Sequence, residues 1–160
     1  MTIAVGEKIP DVKVQVPGPS GPEAAQTGDL LGTGKVVIFG VPGAFTPTCS
    51  DFHLPGFVLR ADEIKAKGVD TIACVAVNDA FVMKAWGDAH EVTDQVVLIA
   101  DGSANFTKAI GLDVDLTGGG MGVRSKRYSA ILENGVVTDL AVEETLGLDV
   151  SSAEAVLAKL

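Results

Sequence analysis

Apolar and polar residues alternate from Gly6 to Val16, a continuous β-branched apolar run follows at Lys35–Gly40, and mainly apolar segments follow at Val69–Val77 and Val96–Ala100. Alternation of period two predicts a half-buried strand, whereas short continuous β-branched runs predict strands covered on both faces. Pro17-Gly-Pro-Ser-Gly-Pro22 interrupts the first pattern and is expected to be an exposed turn, too short to link two domains. From Asp51 the apolar positions Leu54, Phe57, Val58, Ala61 and Ile64 recur at helical spacing and stop at Lys67-Gly68, a cation followed by a helix-ending glycine. Asp79 is a candidate N-cap for a helix through Phe81, Val82, Ala85 and Trp86, and another helix is expected around Asn105–Ile110. Beyond Gly118-Gly-Gly120, the runs Tyr128–Leu132 and Val136–Val142 flank Glu133-Asn-Gly135, whose Asn-Gly step predicts a tight hairpin. Ser151 or Ser152 caps a last short helix reaching Leu160. Strands alternating with helices, then a hairpin, predict an α/β domain with a mixed central sheet flanked by helices.

Composition narrows the partners. With 160 residues, 47% hydrophobic and 21% charged, the chain can fill one core and is too short to expect two, so a single domain spanning 1–160 is expected. The net charge of −9, without any lysine- or arginine-rich run, argues against nucleic acid or an anionic membrane as partner. The N-terminus lacks a basic start followed by a long apolar region, and no apolar run reaches the ~18 residues of a membrane span. A cytoplasmic location is expected. Two cysteines in a chain of this size do not make a secreted disulfide framework, and in a reducing compartment such thiols are catalytic or plainly buried.

Context separates the two. Cys49 directly follows an apolar strand, in the turn Phe39-Gly-Val-Pro-Gly-Ala-Phe-Thr-Pro-Thr-Cys49 that opens a helix. The thiolate is the reactive form of cysteine, and the N–H groups and positive dipole end of a helix start favour negative charge. Pro42 and Pro47 restrict the turn, and Thr46 puts a hydroxyl three residues before the sulfur, which suggests a pocket preorganised around one atom. His53, four residues on, shares a helix face with Cys49 and is a candidate partner for a Cys-His pair, the alternative being a residue of the helix surface and pocket rim. His53 and His90 are the only histidines, and with the two cysteines they form no metal-ligand spacing, so no metal is expected. Cys74, inside Val69-Asp-Thr-Ile-Ala-Cys-Val-Ala-Val77, has the apolar neighbours of a buried, quiet thiol.

Pro42-Gly-Ala-Phe-Thr46-Pro-Thr-Cys49 fits the signature P-x-x-x-T-x-x-C. Together with His53-Leu-Pro-Gly-Phe57, Ala76-Val-Asn-Asp-Ala-Phe-Val82, Trp86-Gly87 and Arg124-Ser-Lys-Arg-Tyr-Ser129, the motif resembles the peroxiredoxins, thiol peroxidases of thioredoxin-like fold. The likeness runs from about Gly6 to Glu143 and is closest to their atypical plant type II, mammalian type-five and bacterial glutathione-dependent members. It implies that Cys49 attacks hydrogen peroxide or an alkyl hydroperoxide and becomes a sulfenic acid, without metal or haem. It further implies that Thr46 orients the peroxide and that Pro42 shields the thiolate. The cation that completes the site is implied to be Arg127, immediately before the aromatic residue and serine that open a strand, with Arg124 the second candidate.

Cys74 matches a second cysteine of plant type II relatives and is thereby a candidate resolving thiol, although a bridge from a strand would need local rearrangement. No cysteine follows it, so a C-terminal resolving thiol of the mammalian type-five kind is not expected. The resemblance then implies glutathione, glutaredoxin or thioredoxin as reductant. It also implies a homodimer formed around the active-site loop, with Phe45 and Phe81 in the interface. Two other classes compete. One is a peroxide-sensing redox switch or thiol-regulated interaction protein, and the other a thioredoxin-type disulfide oxidoreductase, for which the C-x-x-C pair is missing.

Overall fold

In a computed structural model that describes residues 1–160, the first element is an edge hairpin of β1 (Lys13–Gly18) and β2 (Gly21–Gln26). The structure here differs from the expected long strand and proline turn: Gly6–Val12 contributes only a bridge from Lys8 to Val136, and the turn shrinks to Pro19-Ser20. Pro17 and Pro22 lie directly opposite each other. Neither has an N–H to leave unpaired, and β2 is an edge strand, where proline is tolerated.

After α1 (Thr27–Leu31) the chain enters β3 (Lys35–Val41), buried from Val36 to its end. Then come α2 (Leu54–Leu59), α3 (Ala61–Ala66), β4 (Thr71–Ala76), α4 (Ala80–Ala89), β5 (Val97–Ala100) and α5 (Asn105–Ala109). A small hairpin of β6 (Asp113–Asp115) and β7 (Val123–Ser125) precedes β8 (Tyr128–Glu133), β9 (Val136–Val142) and α6 (Ala153–Leu157). The main sheet has the order β2-β1-β5-β4-β3-β8-β9, with β3, β4 and β5 parallel and β8 antiparallel to β3.

Alternation along β3 sends Val37, Phe39 and Val41 to one face, where they pack with residues of α2, α3, α4 and α6. Val36 and Ile38 point to the other face, with Leu31 of α1 and Phe106 of α5. The result is the expected mixed sheet between helices. Gly40 is required at its place: a Cβ there would stand 2.1 Å from the Tyr128 ring on β8.

Local signals are fulfilled where they are chemical. The Asp79 carboxylate accepts the Val82 N–H at 2.9 Å, Asn134 and Gly135 take the positive φ values of a tight turn, and Ser152, not Ser151, caps α6 through the Ala155 N–H. The helix expected from Asp51 is broken in two, around Arg60, and is preceded by a wide turn of π type over Cys49–His53, closed by the Leu54 N–H on the Cys49 carbonyl. Pro55 explains the widening, since it has no N–H to give and its ring crowds the carbonyl four residues back.

Candidate active site

The site forms where β3 runs out. Val41 leads into Pro42, Gly43 and Ala44, all buried, and the Ala44 N–H donates to Asn78 Oδ1 at 2.9 Å, which ties the turn to the end of β4. Phe45 has φ 63°, an uncommon region for a bulky side chain that costs about 1–3 kcal/mol, and its ring is thrown into solvent. That reversal lets Thr46 fold back, so that its Oγ1–H donates to the Gly43 carbonyl at 2.7 Å. The hydroxyl proton is thereby committed, and its lone pairs are left as acceptors.

Cys49 is fully buried on the first turn after this loop, and Trp86 holds the next residue through Nε1–H to Ser50 Oγ at 3.0 Å. Arg127, also buried, enters from the start of β8 and donates from Nη2 to Cys49 Sγ at 3.1 Å. Its Nη1 donates to His53 Nδ1 at 2.9 Å and its Nε to the Leu146 carbonyl at 3.2 Å. A guanidinium carries five N–H donors, so two remain for a ligand. The four ion pairs of the protein are all at the surface and none includes Arg127. A buried cation without a carboxylate calls for another anion, and the charged form of the Cys49 sulfur is the group in reach.

Of the two arginines, Arg127 is thus the one on the sulfur. Arg124 instead donates to the Pro42 carbonyl at 3.2 Å and to the Met121 carbonyl at 2.9 Å, bracing the turn from outside. Its guanidinium lies on Gly43, where a Cβ would sit 2.4 Å from Nη1.

His53 differs from both sequence expectations. It neither pairs with Cys49 nor lies on the helix surface; it is buried against the stacked rings of Phe39 and Phe57, with Nδ1 accepting from Arg127 and Nε2–H donating to the Ser151 carbonyl at 2.9 Å. Burial, and then the Arg127 charge, push its pKa down to about 3. The imidazole is neutral and both nitrogens are used, so it orients Arg127 and has no nitrogen free to take the Cys49 proton. Below the ordinary value of 6.5 the unfolded chain binds a proton that the folded chain refuses, so stability falls as pH drops from about 6.5 toward about 3. Between about pH 7 and about pH 5 this costs about 2 kcal/mol of unfolding free energy, and in His53→Gln that part of the pH dependence is expected to vanish in urea titrations.

Cys74 lies in β4 opposite Phe39, fully buried on the same side of the sheet as Cys49, and both thiols are free. Burial, followed by the neighbouring Cys49, pushes the Cys74 thiol well up. Phe45 and Phe81 are 56% and 71% exposed, whereas Trp86 belongs to the core. No group of three or more histidines, cysteines or carboxylates gathers as a metal site.

The Redoxin family model matches residues 4–157. The chain is 48% identical to peroxiredoxin-2E-2, chloroplastic, of Oryza sativa subsp. japonica, over 98% of this chain and 72% of that protein. It is 46% identical to peroxiredoxin-2B of Arabidopsis thaliana, over 97% and 96%. The chain belongs to the peroxiredoxin family. Among solved structures, reduced Prx3 from Vibrio vulnificus in complex with hydrogen peroxide superposes with a TM-score of 0.94 at 50% identity, covering 99% of each chain, and the thioredoxin-like fold follows with it. This peroxiredoxin is a thiol peroxidase of antioxidant function, using a peroxide as oxidant and thiols as reductant. What the sequence left unread is the link from Arg127 through His53 and Leu146 to the segment after β9. The only local hint was a histidine four residues from the cysteine.

Proposed function

We propose that Cys49 of this peroxiredoxin reduces hydrogen peroxide and small alkyl hydroperoxides and is regenerated by an external thiol, glutathione with glutaredoxin or else thioredoxin. The observation that carries the reading is the buried Arg127 guanidinium on Sγ, with two donors to spare, after a turn in which the Thr46 hydroxyl proton is already committed to Gly43. The thiolate attacks one peroxide oxygen; the S–O bond forms as the O–O bond breaks. Sulfur loses two electrons to become the sulfenic acid, and the leaving oxygen takes a proton to depart as water or alcohol. Charge grows on that leaving oxygen, which is where a fixed cation accelerates reaction most. Thr46 accepts from the peroxide O–H, and Pro42 walls the sulfur from bulk water. The binding of hydrogen peroxide named for the Vibrio structure supports a small peroxide here.

Regeneration then takes two reducing thiols: the first expels water from the sulfenic acid to form a mixed disulfide, and the second releases the Cys49 thiol. Cys74 is a poor resolving group, since a buried thiol held in its neutral form is not the nucleophile. Cys74→Ser is therefore expected to keep wild-type turnover with either reductant, and its loss of turnover would bring Cys74 into the cycle. Reductants of this kind operate in a reducing compartment, which supports a cytoplasmic protein.

The exposed Phe45 on the turn and Phe81 on α4 support a homodimer that covers them. Sedimentation at micromolar concentration is expected to give twice the 16.4 kDa chain mass. A monomeric mass would dismiss it.

A further inference from the structure

Between β9 and α6 the chain makes a loop, Glu143–Ser151, with little packing of its own: Glu144 through Gly147, Asp149 and Val150 are all exposed. Two of its carbonyls nevertheless carry the active-site cation. The Leu146 carbonyl accepts Arg127 Nε–H, and the Ser151 carbonyl accepts His53 Nε2–H, while His53 accepts Arg127 Nη1–H. Apart from Cys49 itself, the hydrogen-bond acceptors that aim the guanidinium therefore lead, directly or through one imidazole, to this loop.

A single side chain closes it. Glu143 Oε2 accepts the Asp149 N–H at 2.7 Å, the Ser151 N–H at 2.9 Å and the Ser151 hydroxyl at 2.7 Å. The Glu143 N–H in turn donates to the Arg127 backbone carbonyl at 2.9 Å, so the closure is in register with the residue it serves. Burial pushes the Glu143 carboxyl up, but these hydrogen bonds, with one from the Val150 N–H, outweigh it and hold it below the ordinary range. The carboxylate is charged when the enzyme works, and charge-assisted bonds are the strong ones.

We propose that Glu143 is a positioning residue for peroxide reduction: it closes the loop whose Leu146 and Ser151 carbonyls, the latter through His53, aim Arg127 at the Cys49 sulfur. It touches neither peroxide nor sulfur. The proposal rests on the peroxidase reading of Cys49, and its test reads the sulfur in two independent ways. A guanidinium free to swing by about an ångström loses much of its effect, since displacements of that size cost up to about a hundredfold in rate.

Glu143→Ala and Glu143→Gln are to be compared with wild type, with circular dichroism and thermal melting as folding controls. Iodoacetamide labelling of Cys49 across pH, located by mass spectrometry, reports the charged sulfur without any peroxide; stopped-flow Trp86 fluorescence reports sulfenate formation. The expected result for Glu143→Ala is a labelling profile displaced to higher pH and a sulfenate rate lowered about tenfold to a hundredfold. Glu143→Gln, which keeps an acceptor oxygen, falls between. A labelling profile and rate equal to wild type in a folded Glu143→Ala would overturn the proposal. If that variant does not fold, Ser151→Ala, which keeps its carbonyl but loses the hydroxyl bond, carries the same expectation at smaller size, and an unaltered profile would overturn it. A displaced profile in a protein that consumes no peroxide would sink the peroxidase reading and leave the positioning of Arg127 standing.

Discussion

Cys49→Ser is expected to abolish peroxide consumption with every reductant, a fall of at least about a thousandfold, the scale of losing a covalent nucleophile. The substitution is nearly isosteric, so Thr46, Pro42 and Arg127 keep their places and the loss cannot be assigned to a damaged pocket. What goes is chemistry. A hydroxyl is almost never ionised at neutral pH, and the less polarizable oxygen is a far weaker nucleophile toward a peroxide oxygen than a thiolate sulfur. The Arg127 guanidinium would also face a neutral partner in a buried site, where an uncompensated cation is costly. A modest loss of thermal stability is expected to accompany the loss of turnover. The measurement is peroxide remaining over time, with glutathione plus glutaredoxin and with thioredoxin, beside trapping of sulfenic acid by mass spectrometry. Turnover surviving in Cys49→Ser would move the reaction to another residue, and the only other sulfur nucleophile, Cys74, is shut inside β4.

The elements legible in the sequence were those whose cause is local. Lys35–Gly40 could be read as a two-faced strand because β-branched residues without alternation have few other uses, and Asp79 as a cap because a carboxylate three residues before an orphan N–H has one. Arg127 could be told from Arg124 only by the pattern around it; physically the two differ in where β8 begins, which places the first beside the sulfur and the second against the Pro42 carbonyl. Three features were not legible. Gly21-Pro-Glu-Ala-Ala-Gln26 has little strand propensity and becomes β2 because β1 offers it a partner. His53 has the spacing of a catalytic pair, and nothing nearby announces that a residue 74 positions later takes its Nδ1. Glu143 looks like one acidic residue among two, and its hydrogen bonds to Asp149 and Ser151 exist only once the loop has closed.

The second large effect belongs to Arg127. Arg127→Gln is expected to lower the rate of sulfenate formation by about a hundredfold to a thousandfold, as when one preorganised donor to a developing oxyanion is removed. Arg127→Lys separates charge from shape: an ammonium keeps the cation but cannot serve Cys49 Sγ, His53 Nδ1 and the Leu146 carbonyl from one planar fork, so a loss of at least about tenfold is expected in spite of the retained charge. Stability runs the other way from activity in part. Removing the buried cation relieves its desolvation, yet it strands three acceptors, Cys49 Sγ, His53 Nδ1 and the Leu146 carbonyl, at about 1–3 kcal/mol each, so the glutamine variant should melt below wild type. Stopped-flow oxidation by hydrogen peroxide, monitored at Trp86, isolates the first chemical step from the reductant. If the lysine variant reacts as fast as wild type, charge alone serves the transition state, and the fork geometry that joins Arg127 to His53 and the Glu143 loop has no part in catalysis. If it falls toward the glutamine variant, the hydrogen-bonded aim of the guanidinium is what the buried histidine and the closed loop exist to hold.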